Sequence, residues 1–206
     1  MPQSSRARAR AEPGSLAYSA KEAKRQGKQA ITIRHIFDEI GSEAPLDGFL
    51  RAYATVLATP VGASVQTTDK YYVYTWHFFH VLRILAQPPS PSVPGCHVLP
   101  PRALVADEIA IPLVAGTAVI EGVAITMDSD ESHATFKPGQ QYLFLSIRCP
   151  SGVALLLQGR LDIFEVMPDG RIVVPTTPWF RYMQDVMKLG TIDRLTEQLK
   201  ALSVGQ

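Results

Sequence analysis

Between residues 71 and 174 the hydrophobic positions fall in short runs cut by Gly, Pro and Asp, a pattern of strands and tight turns rather than of long helices. Ala118-Val119-Ile120 and Val123-Ala124-Ile125-Thr126-Met127 flank Glu121-Gly122, which predicts a tight hairpin. In Lys137-Pro138-Gly139-Gln140, Pro and Gly stand in the order of a type II turn: Pro fixes φ at the first central position and Gly accepts positive φ at the second. A strand over Tyr142–Ile147 follows, and Pro168-Asp169-Gly170 separates Leu161–Val166 from Arg171–Val174 as a second hairpin. Upstream, Ala54–Gln66 and Tyr71–Leu85 read as two long strands that pair antiparallel across the polar turn Thr67-Thr68-Asp69-Lys70, and Ile31-Thr32-Ile33 begins a further strand. The expected fold is mainly β: a small antiparallel barrel, with OB-like topology preferred, or a sandwich.

Helical periodicity is confined to the two ends of the chain. Ser19 as N-cap and Gly27 as terminator bound a short N-terminal helix, and Leu46, Phe49, Leu50 and Tyr53 share one face of a second. Trp179–Leu189 and Thr191–Leu202 read as two C-terminal helices, the latter with Thr191 as N-cap and Ile192, Leu195, Leu199 and Leu202 on one stripe. Residues 1–16 contain Arg6, Arg8 and Arg10 with almost no large apolar side chain, the composition of a disordered basic tail. The remainder, 17–206, reads as one β-rich domain with a helical extension over 176–202. Residues 87–101 hold six of the sixteen prolines and read as a surface loop, since Pro has no N–H to give a ladder.

Composition narrows the function classes. The 206 residues are 46% hydrophobic, ordinary for a globular chain, and 20 basic against 19 acidic residues leave a net charge of +1. No overall field draws such a chain to nucleic acid, so nucleic acid as a partner is not favoured by charge. No apolar run approaches the roughly 18 residues of a membrane-spanning helix, and a soluble or peripheral protein is expected. The first thirty residues are basic without the apolar core of a secretory signal, which points to the cytoplasm as the sequence stands and to export if the start is truncated. Cys96 and Cys149 could form a single disulfide in an oxidising compartment.

Candidate chemistry is sparse. There is no Gly-x-Ser-x-Gly elbow, no phosphate-binding Gly-x-x-x-x-Gly-Lys-Ser/Thr and no dinucleotide Gly-x-Gly-x-x-Gly, so no catalytic residue and no cofactor is assigned. His77, His80, Cys96 and His97 are metal-ligand types, but His77 and His80 stand three apart on a strand and point to opposite faces, so no metal site is assigned. Asp128, Asp130 and Glu131, with Ser129 and Ser132, read as a solvated loop without the spacing of a calcium loop, and Asp107 and Glu108 are adjacent on a strand and point apart. The sharpest candidate is the aromatic strand: Tyr72, Tyr74, Trp76, Phe78 and His80 alternate onto one face. If exposed, Tyr72, Tyr74, Trp76 and Phe78 would form a stacking platform for single-stranded nucleic acid or oligosaccharide; if buried, they are packing.

Leu46-Asp47 opening a helix, the strand Ala54–Pro60, Trp76–Leu85, the run Phe136-Lys137-Pro138-Gly139-Gln140-Gln141-Tyr142-Leu143-Phe144-Leu145, the stretch Gly159–Val166 with Asp169-Gly170, and Ile192-Asp193-Arg194-Leu195 together resemble a group of uncharacterised, usually exported bacterial proteins. More distantly, the Pro-Gly-x-x-Tyr-Leu-x-Leu strand after a long loop is similar to netrin-type modules, the OB-like barrel of metalloproteinase inhibitors. The resemblance implies a barrel-like fold and export. It carries over no inhibitory residue, because the N-terminal zinc-chelating cysteine and the several disulfides of those inhibitors are missing here. The expected function is a non-enzymatic binding or interaction module for an unidentified macromolecule or surface ligand. The alternatives are the aromatic-face binder and an enzyme whose site is assembled from loops 87–101 and 128–133.

Overall fold

A computed structural model of the chain describes residues 11–35, 45–88, 96, 98–129, 134–156, 162–174 and 180–204. Turn chemistry sets the strands where the sequence predicts them. Between β6 (Gly116–Ile120) and β7 (Val123–Asp128), Glu121 and Gly122 both take positive φ, 49° and 79°, the signature of a type I′ hairpin whose twist matches the strands it joins. Gly139 has φ 76° and the Gln140 N–H donates to the Lys137 carbonyl at 3.1 Å, closing the turn that feeds β8 (Gln141–Arg148). The second hairpin joins β10 (Ile163–Val166) to β11 (Ile172–Val173).

The remaining strands are β1 (Ala30–Arg34), β2 (Ala54–Pro60), β3 (Val65–Thr68), β4 (Val73–Ala86), β5 (Glu108–Val114) and β9 (Ala154–Leu155). A three-stranded sheet runs β1-β7-β6, with β1 parallel to β7. The larger sheet is antiparallel and runs β11-β10-β8-β2-β4-β3, with β5 on β4 and β9 on β8. The 14-residue β4 organises it: β2 and β3 share one of its edges and β5 takes the other from Tyr74 to His80. An isolated parallel bridge, Ala110 to Val153, brings β5 beside β9. The fold is therefore mainly β with antiparallel sheets in a sandwich-like arrangement, and no barrel closes among the described residues.

β2 is buried over Ala54–Leu57 and Ala58 because both of its faces are covered. Val56 and Ala58 turn inward with Phe79, Ile111, Tyr142 and Phe144. Leu57 turns the other way, with Leu143, Leu145 and Phe164, against α2 (Leu46–Ala52), α3 (Arg181–Leu189) and α4 (Ile192–Val204). Under these helices Tyr182 donates to Asp162 Oδ1 at 2.8 Å, which satisfies part of a fully buried carboxylate and stacks the Tyr182 ring on Phe49 at 4.2 Å. α1 (Leu16–Arg25) lays Leu16, Ala20 and Ala23 on Ile125 and Met127 of the small sheet.

Three boundaries differ from the sequence reading. Ser15, not Ser19, caps α1 by accepting from the Tyr18 N–H at 3.2 Å, and Leu16 is buried, so the part of the tail assigned to 11–16 leads into an anchored helix; residues 1–10 lie outside the described residues. Ala54–Gln66 is two strands, because Gly62 at φ 76° bends the chain between β2 and β3. Thr67 and Thr68 belong to β3, and the turn is made instead by Asp69, whose Oδ1 accepts from the Tyr71 and Tyr72 N–H groups, each at 2.6 Å. Trp179 and the segment 175–179 lie outside the described residues.

Candidate functional site

The aromatic row falls on β4 and its entry turn. Tyr72 and Tyr74 are half-buried, with ring centroids 6.0 Å apart and Tyr74 6.3 Å from Trp76. Trp76 is fully buried and its indole N–H donates to Thr67 Oγ1 at 2.6 Å; Phe78 is 3% exposed. The four residues are brought together, but not as an exposed platform: neither Trp76 nor Phe78 has a free face on which a base or sugar could stack.

The cover is the segment leading into β5. Cys96 is bridged to Cys149, with Cα atoms 5.4 Å apart, and the bridge packs with Val98 and Leu104 over Trp76 and Phe78. Gly152 makes room for Leu104: a Cβ there would lie 2.6 Å from Leu104 Cδ1. The Arg102 guanidinium sits 3.9 Å from the centre of the Phe78 ring and forks onto both Glu108 carboxylate oxygens, at 2.7 and 2.5 Å. Those hydrogen bonds hold the buried Glu108 carboxyl below the ordinary carboxylate range. Alternation along the sequence places these aromatics on one face; only the tertiary placement of Cys96 and of residues 98–107 determines that the face is sealed.

His77 and His80 point apart, as the odd spacing requires. His77 lies against Phe136, ring centroids 4.7 Å apart, and burial lowers its pKa to about 4, so the imidazole is neutral at pH 7. His80 is exposed. Cys96 is bridged and His97 lies outside the described residues; among those described, no three His, Cys, Asp or Glu side chains converge on a metal-sized point. Asp130, Glu131 and Ser132 also lie outside, while Ser129 donates to the Val114 carbonyl at 2.5 Å.

The other end of β4 is open. Between it and α4 runs a groove of about 500 Å³ whose walls carry Arg51, Arg83 and Lys200 and whose floor is Leu50, Leu85, Ala86, Leu199 and Leu202. Leu50 and Leu199 are buried beneath it, and Arg83 is held to α4 by a hydrogen bond to Thr196 Oγ1 at 3.3 Å. Among the described residues no carboxylate lines the groove and none of its three cations forms an ion pair. Along the same stretch β5 has ended. The last contact on that edge of β4 is the Val81 N–H donating to the Asp107 carbonyl at 2.7 Å, and from Leu82 to Ala86 no described strand pairs it. Leu82 and Ile84 are 44% and 42% exposed there. The stripe Leu195, Leu199 and Leu202 announced that α4 would dock; that it would dock beside Arg83 had no signal in the sequence.

Comparison with protein-family models, with curated proteins and with solved structures gives no match to this chain. Among the described residues no helix is long and apolar enough to cross a membrane. The arrangement can offer an anionic or amphipathic ligand an apolar floor between cationic walls.

Proposed function

We propose that the protein is a non-catalytic binding module that engages a partner macromolecule in the groove between α4 and the open end of β4. The observation that carries this reading is the combination of an apolar floor with Arg51, Arg83 and Lys200 on its walls, none of them in an ion pair among the described residues. Solvated charge without an ionic partner contributes little to the fold, and complementary charge on a partner would use it. Binding through Tyr72, Tyr74, Trp76 and Phe78 is set aside because Trp76 and Phe78 are covered.

The finer fold reading is an OB-like barrel left partly open, with β2, β4, β5, β9 and β8 around the interior and the Ala110–Val153 bridge in support. The Cys96–Cys149 bridge favours an oxidising compartment, in line with the exported proteins that the chain resembles; thiol trapping during extraction that recovers both cysteines reduced would contradict that placement.

Selection of a displayed random-peptide library on the intact protein, with counter-selection on Arg83→Glu/Lys200→Glu, tests the groove. Enriched sequences that lose binding to the double variant are expected. Enrichment indifferent to the variant, or none, would contradict the reading.

A further inference from the structure

The groove and the unpaired strand edge are one feature, since Arg83, Ile84, Leu85 and Ala86 both line the groove and belong to the part of β4 that β5 leaves uncovered. An unpaired edge presents a row of backbone N–H and C=O groups that must be met by water or by another strand. Native sheets protect such edges with charged side chains, bulges or a covering loop. Two register shifts, at Thr55/Val56 and Leu57/Ala58, bend the pairing of β2 with this half of β4, yet the opposite edge keeps Leu82 and Ile84 exposed and is covered by no described segment. Further back along the strand, from Tyr74 to His80, the same edge is occupied by β5 in register, so its geometry is already that of a strand acceptor.

We infer that this edge accepts an extended, acidic segment of another protein by strand addition, continuing the line of β5 past His80. This rests on the groove being the binding site. Backbone hydrogen bonds along Leu82–Ala86 would supply register, and alternate side chains of the incoming strand would fall to opposite faces. Carboxylates of the incoming strand would meet Arg51, Arg83 and Lys200, and its apolar side chains would cover the exposed Leu82 and Ile84. The occupant is thus a peptide that alternates acidic and apolar residues. A single-stranded nucleic acid also carries negative charge, but it cannot satisfy a row of backbone donors and acceptors at strand spacing, and none of the described residues that line the groove is aromatic and able to stack its bases.

The probes are an end-capped peptide of about seven residues alternating Val and Glu, the same peptide with Lys for Glu, and the Val/Glu peptide N-methylated at alternate backbone nitrogens. Titrated into isotope-labelled full-length protein, the first is expected to shift amide resonances of Leu82–Ala86 and of Thr196–Lys200. The Lys and N-methylated forms are expected to bind at least about tenfold more weakly. Equal binding of the N-methylated form at the same resonances would overturn strand addition while leaving the groove reading intact. Shifts confined to the edge of β1 or β6, or tighter groove binding of an oligothymidylate, would overturn the location or the partner class. Failure of all the probes, together with library binders that do depend on Arg83 and Lys200, would overturn strand addition alone; failure of both experiments would remove the groove as well.

Discussion

Along β4 the residues from Tyr74 to Phe79 pair with β5 on one edge and lie along β3 and β2 on the other, with Trp76, Phe78 and Phe79 buried, whereas those from Leu82 to Ala86 are paired only to β2 among the described strands and carry exposed Leu82, Arg83 and Ile84. The first half is closed by a disulfide, a guanidinium over a ring, a forked ion pair and a leucine seated on a glycine. Nothing comparable covers the second half among the described residues. Large aromatic surfaces cost most when left in water, and the chain spends a dedicated segment on covering them. Aromatic content therefore marks where the fold is sealed, and the interaction surface is sought where backbone and charge are left without partners.

The largest effect separating the halves is expected from Trp76→Ala, which removes a fully buried ring and its hydrogen bond to Thr67; urea unfolding should show a loss of about 3–5 kcal/mol. A loss below about 1 kcal/mol would be that of a surface residue and would contradict the sealed half. Next comes Cys96→Ser/Cys149→Ser, which releases a link across 53 residues and should cost about 2–4 kcal/mol. In a Trp179→Phe background, Trp76 emission should be blue and poorly quenched by acrylamide in the bridged protein, and more readily quenched in the double serine variant. Equal quenching in both would show that the bridge does not hold the cover down.

His77 gives the sealed half a pH signature. Its folded pKa of about 4 lies below its ordinary 6.5, so the unfolded chain binds the proton more tightly. Stability from this group is full above pH 6.5, falls as pH drops towards 4 and changes no further below that, by about 2–3 kcal/mol in all. His77→Gln should flatten that part of the stability–pH curve; an unchanged slope would place the titration elsewhere. The smallest effect belongs to the open half: Arg83→Glu/Lys200→Glu should alter stability by no more than about 0.5 kcal/mol while abolishing library-peptide binding. A large loss of stability would mean that these cations belong to the fold.

What the sequence discloses follows from how local its causes are. The Glu121-Gly122 and Pro138-Gly139 turns, the β8 run and the α4 stripe were readable because each depends on a few neighbouring residues. The break at Gly62 is hidden because β-branched and apolar residues continue across it, and the start of α1 is ambiguous in the sequence because Ser15 and Ser19 are equally good caps. Strand alternation sorted the β4 aromatics onto faces but could not say that both faces would be covered. The groove was illegible, since it needs Arg83 and Thr196, 113 residues apart, to meet.

Amide hydrogen exchange along β4 in the free protein tests the contrast between its halves most directly. The amides that face β5 between Tyr74 and His80 are expected to exchange slowly, near the global unfolding rate, and those facing outward between Leu82 and Ala86 to exchange orders of magnitude faster. Uniform protection along the whole strand would mean that the second half is already covered, and the account of an open, strand-accepting edge would be wrong.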